Sequence, residues 1–209
     1  MTRDLGEGDV EILERRQAYR GFARLDVLKL RHRLHEGGWS NPFERELYER
    51  GHSVAVLPYD PVSDRIVLVQ QFRIGAHAAG FPSWQLEAIA GMLAPGESPE
   101  QVARRESQEE AALEIGALEP IARYLSSPGA SSESVTLFCG CTDARAAAGV
   151  HGLREENEDI AIRTFATSDV PSLLTNPSAA NALTIVALQW LLLHRERLQR
   201  LWAGEPASR

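Results

Sequence analysis

Two cysteines in 209 residues are too few to staple a small disulfide-rich fold. Cys139 and Cys141 are those two, and in a strand their spacing puts both on one face with Gly140 on the other. Adjacent positions on one strand face are too far apart for an easy disulfide, and no second Cys/His pair stands near to complete a zinc site. They read as packing residues. Long hydrophobic runs are missing as well. The longest apolar stretch, Ala182 to Leu193, is interrupted by Thr184 and Gln189 and stops at His194, short of the roughly 20 residues that span a bilayer. It reads as a buried helix, and no membrane partner is expected. The amino terminus, MTRDLGEGDVEILERR, lacks the basic start and apolar core of a secretory signal, so a cytoplasmic location is expected. Basic residues are outnumbered 22 to 29, for a net charge of −7, which disfavours a broad nucleic-acid-binding surface. No repeat, low-complexity tract or long run of like charge breaks a composition that is 44% hydrophobic and 24% charged. The length suits one α/β domain with a few dozen residues left over.

Hydrophobic patterning supplies the elements. His52 to Tyr59 and Ile66 to Phe72 are short apolar runs separated by Asp60-Pro61, the signature of two strands joined by a turn. Trp84, Leu86, Ala88 and Ala90 alternate with Gln85, Glu87 and Ile89, which predicts one half-buried strand running into Gly91. Ser98-Pro99-Glu100-Gln101 starts a helix, with Ser98 as N-cap, Pro99 at the first helical position and Gln101 completing a capping box; the helix is expected to reach about Leu113. Val135 to Cys141 and Ile160 to Phe165 read as further strands, with the polar loop Thr142 to Asp159 between them. A packing helix is expected from Ser178 to Leu201, with Leu183, Ala187, Leu191, Leu198 and Leu201 as its apolar stripe. Before residue 50, Phe22, Leu25, Val27, Leu28 and Leu30 are apolar enough to pair as strands, forming an oligomerisation or lid element.

The chemistry sits on the helix after Gly91. Gly91 is followed after five residues by Glu97, and after seven more by Arg105-Glu106, Ser107-Gln108 and Glu109-Glu110. On a helix Glu106 and Glu110 are four apart and Glu109 is three from Glu106, so the carboxylates converge on one side and repel unless cations fill the cluster. Hard oxygen ligands of this kind suit Mg²⁺, which keeps waters and shares its remaining sites with substrate phosphates. A solvated acidic helix face is the bland alternative. Strand, glycine, loop and capped helix in fixed register argue for the functional one. Arg105 is placed to organise the neighbouring carboxylates and Glu97 to brace the loop onto the helix, both behind the metal ligands with Glu109.

This arrangement resembles the Nudix box, G-x5-E-x7-R-E-U-x-E-E-x-G-U, where U is bulky and apolar. Two positions depart from it. Ser107 stands where the box has an apolar residue, and Ala112 where it has glycine. Ala103, Ser107 and Ala111 form a small-residue stripe that suits close packing on a sheet, and alanine at 112 suits the helix unless the backbone there must adopt positive φ.

Other stretches narrow the resemblance: YRGF, FERELYERGH, VLVQQFRIGA, LSSPGASSE, HGLREENEDI and IVALQWLLLH are similar to those of bacterial ADP-ribose pyrophosphatases from Tyr19 onward. The resemblance implies an α/β/α sandwich around a mixed sheet, with an N-terminal β-element over residues 1–48 for dimerisation and substrate contact, and a hydrolase domain over 49–209. It implies metals on the Ala90 carbonyl, Glu106 and Glu110, with Glu158 joining when its loop closes, and Glu156 as general base on the attacking water. Phosphate and ribose contacts fall on Arg45, Arg73, Met92, Ser127 and Glu133, and the adenine contact on Phe22 from the partner subunit of a homodimer. The implied reaction is hydrolysis of ADP-ribose to AMP and ribose 5-phosphate with Mg²⁺, or Mn²⁺ as the alternative ion. Cleavage of another nucleoside-diphosphate sugar, or nucleotide binding without cleavage, are the rival readings.

Overall fold

The computed structural model describes residues 4–153 and 157–202. Its chain divides into two compact units. One comprises the chain up to His52 together with Leu125–Ser134, and the other comprises Ser53–Tyr124 and the chain from Val135 onward.

The first unit is built on three antiparallel strands, β1 (Val10–Arg20), β2 (Arg24–His32) and β3 (Phe43–Glu49), in that order across the sheet. Its burial is thin. Apolar residues Val10, Ile12, Leu13 and Tyr19 of β1 remain exposed, and what is buried includes the carboxylate of Asp26, held by Arg15 and Arg24. The loop at 125–134, which the hydrophobic pattern gives no reason to group with residues 1–48, docks here through both backbone and side-chain hydrogen bonds. Tyr48 N donates to Ala130 O at 2.8 Å, and Ser132 Oγ donates to Glu49 Oε2 at 2.7 Å.

In the second unit, β4 (Ser53–Asp60) and β5 (Arg65–Phe72) pair antiparallel, and β4 pairs parallel with β9 (Ser134–Cys141). The eight-stranded mixed sheet runs β10 (Val150–His151), β11 (Ile160–Ala166), β5, β4, β9 and β8 (Leu118–Leu125), with two short strands joined to its centre. Central strands are buried on both faces, which is why they read as continuous apolar runs. Ala55, Leu57, Ile66 and Leu68 pack with Ala187, Leu188, Leu191, Leu198 and Trp202 of the long helix. Val54, Val56, Val67 and Val69 pack with Val102, Ala103 and Ala111 of the helix after Gly91. Helices on both faces make the α/β/α sandwich. The minor helices α1 (Ile74–Ala78) and α3 (Val170–Leu173) lie in the connections.

Three expectations are corrected. The stretch from Trp84 to Ala90 is two strands: β6 (Trp84–Glu87) pairs with β5, and β7 (Ile89–Met92) pairs with β4. Nor is it half-buried, because Gln85, Leu86 and Glu87 are all buried. The helix after Gly91, α2, spans Pro99–Ala111, since Ala112 takes the left-handed conformation that ends it. The last helix, α4 (Ala182–Trp202), begins later than expected, after a tight turn at Pro177–Ala179. It buries Thr184 and Trp202 while leaving Leu201 exposed.

Candidate active site

The change of partner between β6 and β7 happens at Ala88, which belongs to neither ladder. A buried backbone that leaves a ladder needs other hydrogen-bond partners. They come from the start of α4. Thr184 Oγ accepts from Ala88 N at 3.2 Å and donates to Leu86 O at 3.3 Å, and Asn181 Nδ2 donates to Leu86 O at 3.1 Å. Asn181 Oδ1 in turn accepts from Thr184 N at 2.9 Å. This clamp fixes the strand switch that places Glu87 beside β5 and Ala90 and Gly91 beside β4.

Gly91 is where the helix comes closest. A Cβ built there would lie 1.6 Å from Glu106 Oε1, so a side chain at 91 would push the Glu106 carboxylate out of its present position. α2 approaches that closely because its inner face is Ala103, Ser107 and Ala111, all fully buried. The Ser107 hydroxyl is satisfied by its own helix, donating to Ala103 O at 2.8 Å, so a polar residue takes the apolar position of the motif with no orphaned group. The helix start matches its sequence signature: Ser98 Oγ accepts from Gln101 N, and Gln101 Oε1 accepts from Ser98 N.

Arg105 organises the acidic residues around it. Its Nε and Nη2 donate to Glu97 at 3.0 and 3.3 Å, and its Nη1 donates to Glu106 Oε1 at 2.7 Å and Glu109 Oε2 at 3.0 Å. Its Nη2 also lies 3.5 Å from Met92 O. Glu97 Oε2 accepts from Ala94 N at 3.2 Å, tying the loop to the helix. Burial raises the Glu106 carboxyl above the usual carboxylate range against the opposing charge of Arg105.

Glu110 has no such partner. It is 5% exposed, and its Oε2 is buried without a hydrogen bond. Burial first, then the charges of Glu106 and Glu158, push its pKa up to about 8, against the opposing pull of Arg73 and the Ala90 backbone. Leaving a buried carboxylate oxygen unpaired is costly unless something else takes its lone pair. A divalent cation fits. The donors are hard oxygens, they repel one another, and one is orphaned. Among the described residues no group of three or more His, Cys, Asp or Glu side chains is set to hold a metal by itself. A bound ion would therefore draw on Glu106 and Glu110, the Ala90 carbonyl, and water or substrate oxygens.

Arg73 and Glu87 form the opposite wall. Arg73 Nε and Nη2 lie 2.8 and 2.7 Å from Glu87 Oε2. Despite the opposing effect of burial, the charges of Glu87, Glu110 and Glu158 raise Arg73's pKa. Glu158 is positioned by Leu153, whose N donates to Glu158 Oε2 at 3.0 Å. Gly152, at φ 103°, passes so close that a Cβ would lie 2.7 Å from Glu158 Cβ. The structure thus brings Ala90, Met92, Glu97, Arg105, Glu106, Glu109, Glu110, Arg73 and Glu158 into one unit. Glu156 lies outside the described residues.

The remaining expected contacts belong to the first unit. Phe22, at the turn between β1 and β2, is 90% exposed, which excludes a core role for its ring within that unit. Arg45 on β3 stacks over Phe43 at 4.4 Å and donates to Glu44 O. Ser127 O accepts from Ala130 N and Ser131 N. Glu133 Oε2 accepts from Ser126 Oγ at 2.8 Å, and its other oxygen lies 3.6 Å from Arg50 Nε. Sequence reasoning passed over Glu87, Asn181 and Thr184. The available signals were a charge inside an apolar strand and a polar break in the longest apolar run.

The NUDIX domain model matches residues 49–188. The chain belongs to the NUDIX domain family. It is 44% identical over 198 residues, 95% of each chain, to a protein of Escherichia coli strain K12 named ADP-ribose pyrophosphatase. It is 41% identical to one of that name from Haemophilus influenzae, over 93% of this chain and 91% of the relative. A protein of Cronobacter sakazakii named GDP-mannose pyrophosphatase is 33% identical over 72% of this chain and 78% of its own. The NUDIX fold is matched by the crystal structure of an ADP compounds hydrolase at TM-score 0.72 and 20% identity, covering 96% of this chain and 98% of that one.

Proposed function

We propose that this NUDIX protein hydrolyses the pyrophosphate of ADP-ribose, giving AMP and ribose 5-phosphate. The observation that carries the reading is a likeness to ADP-ribose pyrophosphatases that runs through both units, at 44% identity over 95% of the chain. The carboxylate cluster supports the chemistry. A divalent cation, which we take to be Mg²⁺ with Mn²⁺ as a substitute, neutralises phosphate charge and acidifies a water when bound. Glu106, Glu110 and the Ala90 carbonyl hold it, joined by Glu158. Arg105 keeps Glu106 in place while Glu97 and Glu109 balance its charge. Glu156 accepts the proton of the attacking water as the water oxygen bonds to one phosphorus and the P–O bond to the bridging oxygen breaks, that oxygen leaving on the other phosphate. Arg45, Arg73, Met92, Ser127 and Glu133 contact the phosphates and ribose, and Phe22 of a partner subunit the adenine.

A homodimer through the N-terminal sheet is supported by the apolar residues that β1 leaves exposed. We place the enzyme in the cytoplasm, in keeping with its two free cysteines; no described helix is long and apolar enough to cross a membrane.

The test incubates the purified protein with ADP-ribose, GDP-mannose and other nucleoside-diphosphate sugars, with Mg²⁺ or with EDTA, and separates the products by chromatography. AMP and ribose 5-phosphate forming fastest from ADP-ribose, and only with metal, is the expected result. Preference for GDP-mannose would favour the second reading, which the Cronobacter relative supports. Stoichiometric nucleotide binding without turnover would make the chain a binding module.

A further inference from the structure

Glu110 Oε2 has no hydrogen-bond partner although a guanidinium lies close enough for its charge to act on that carboxyl. An arginine beside a buried carboxylate ordinarily closes on it, because the charge-assisted pair is strong and often bidentate. Arg73 instead donates from Nε to one oxygen of Glu87 at 2.8 Å, with Nη2 2.7 Å from the same oxygen in an ion pair. Strand register explains why Glu87 is available. It sits opposite Val69, and Val69 packs with Val102 and Ala103 of α2, so Glu87 stands on the sheet face that α2 covers. Its side chain is 11% exposed, and the Thr184–Asn181 clamp pins the chain on either side of it at Leu86 and Ala88. Among the described residues Arg73 Nη1 has no partner.

We infer that Glu87 is a positioning residue that holds Arg73 off the Glu110 carboxylate, so that Glu110 stays open to a divalent cation. The inference rests on the metal-dependent hydrolase reading above. Without the Glu87 charge, the guanidinium is drawn to Glu110, where it competes with the cation for the same oxygens. With Glu87 in place, Arg73 keeps a free edge for an anionic ligand and still lowers the repulsion within the cluster.

The test measures Mn²⁺ binding to the full chain by calorimetry and by the loss of the free-ion EPR signal, with no substrate present. Glu87→Gln, nearly isosteric, is expected to weaken Mn²⁺ binding by about 10-fold, the scale on which groups behind metal ligands act. Removing the competitor as well, in the double variant R73Q/E87Q, is expected to restore binding to within about twofold of the parent. R73Q alone is expected to bind Mn²⁺ no more weakly than the parent. Parent-like binding by E87Q overturns the inference. So does a double variant as weak as E87Q, because that pattern marks a purely structural role. If E87Q does not fold, as judged by near-UV circular dichroism, R73Q and the double variant still decide: weakened binding in either overturns the inference. A parent protein that binds no Mn²⁺ would instead remove the proposed function, so the two failures are distinguishable.

Discussion

Replacing Ala112 by glycine should stabilise this protein. α2 ends at Ala112 with φ 50° and ψ 35°, a left-handed conformation held by hydrogen bonds from Ala112 N to Gln108 O and from Leu113 N to Ser107 O, both 3.0 Å. The turn is needed because the next residues dive inward, with Leu113 and Ile115 both buried. A residue with a Cβ pays about 1–2 kcal/mol in that conformation, and glycine pays none. Glycine's extra freedom in the unfolded chain takes back roughly 0.4–1 kcal/mol. Ala112 is exposed, so removing its methyl group leaves no cavity. The net gain is about 0.5–1 kcal/mol. For a chain of this size that raises the melting temperature by roughly 1–4 °C. Differential scanning calorimetry of parent and Ala112→Gly at one pH in EDTA measures it, with urea midpoints as a second determination. An unchanged or lower melting temperature would mean that the left-handed strain is absent or relieved elsewhere, and the reasoning about this terminus would fail.

Glu110→Gln should reduce metal-dependent turnover by orders of magnitude while raising stability in EDTA at pH 7 by about 1–3 kcal/mol, because a buried carboxyl with its pKa pushed up to about 8 must take up a proton on folding and a neutral amide need not; unchanged turnover would remove Glu110 from the metal site. Thr184→Val, similar in shape, leaves Ala88 N unpaired and Leu86 O with one bond fewer, and should cost about 1–3 kcal/mol in urea denaturation; Thr184→Ser should recover most of it. Asp64 is also left-handed, at φ 56°, a conformation asparagine tolerates. Burial raises its pKa, but hydrogen bonds from Arg195, Thr167 and Tyr59 outweigh burial and hold the carboxyl below the ordinary aspartate value. A folded pKa below the unfolded one gives stability that is present above the unfolded value and is lost as pH falls through the folded one. Asp64→Asn should therefore cost about 2 kcal/mol at pH 7, as expected for hydrogen bonds to a charged group, and the difference from the parent should shrink near pH 3. An equal cost at both pH values would show that the charge is not what matters.

The box helix was legible because its signals are local. A capping box, a proline at the first turn and acidic residues at helical spacing act within a dozen residues, and the structure reproduces the cap. The two-faced burial of β4 and β5 was legible as apolar runs for the same reason. What failed depended on distant partners. Trp84 to Ala90 alternates like one strand, and only the neighbours β5 and β4, competing for opposite halves of it, divide it at Ala88. Thr184 reads as a blemish on an apolar helix until the unpaired backbone at Ala88, 96 residues away in sequence, gives it a task. The conformation of Ala112 was set as a condition by the sequence, and tertiary burial of Leu113 and Ile115 decides it.

The departures from the NUDIX pattern and the site's geometry have a common origin. A carboxylate on one element can lie against the backbone of another only if both surfaces are stripped. Gly91 strips the strand, where any side chain would occupy the space of Glu106. Ala103, Ser107 and Ala111 strip the helix, and all three are fully buried. Serine is acceptable in that stripe because its hydroxyl returns to Ala103 O, which leaves a residue smaller than the apolar one it replaces with no unpaired group facing the sheet. That close approach also forces the desolvation seen at Glu110: a helix seated this deeply takes its second carboxylate out of water along with its first. The orphaned oxygen of Glu110 and the missing side chain of Gly91 thus follow from one packing requirement. A substitution that loosens the helix from the sheet would act on cation binding before it touched any ligand.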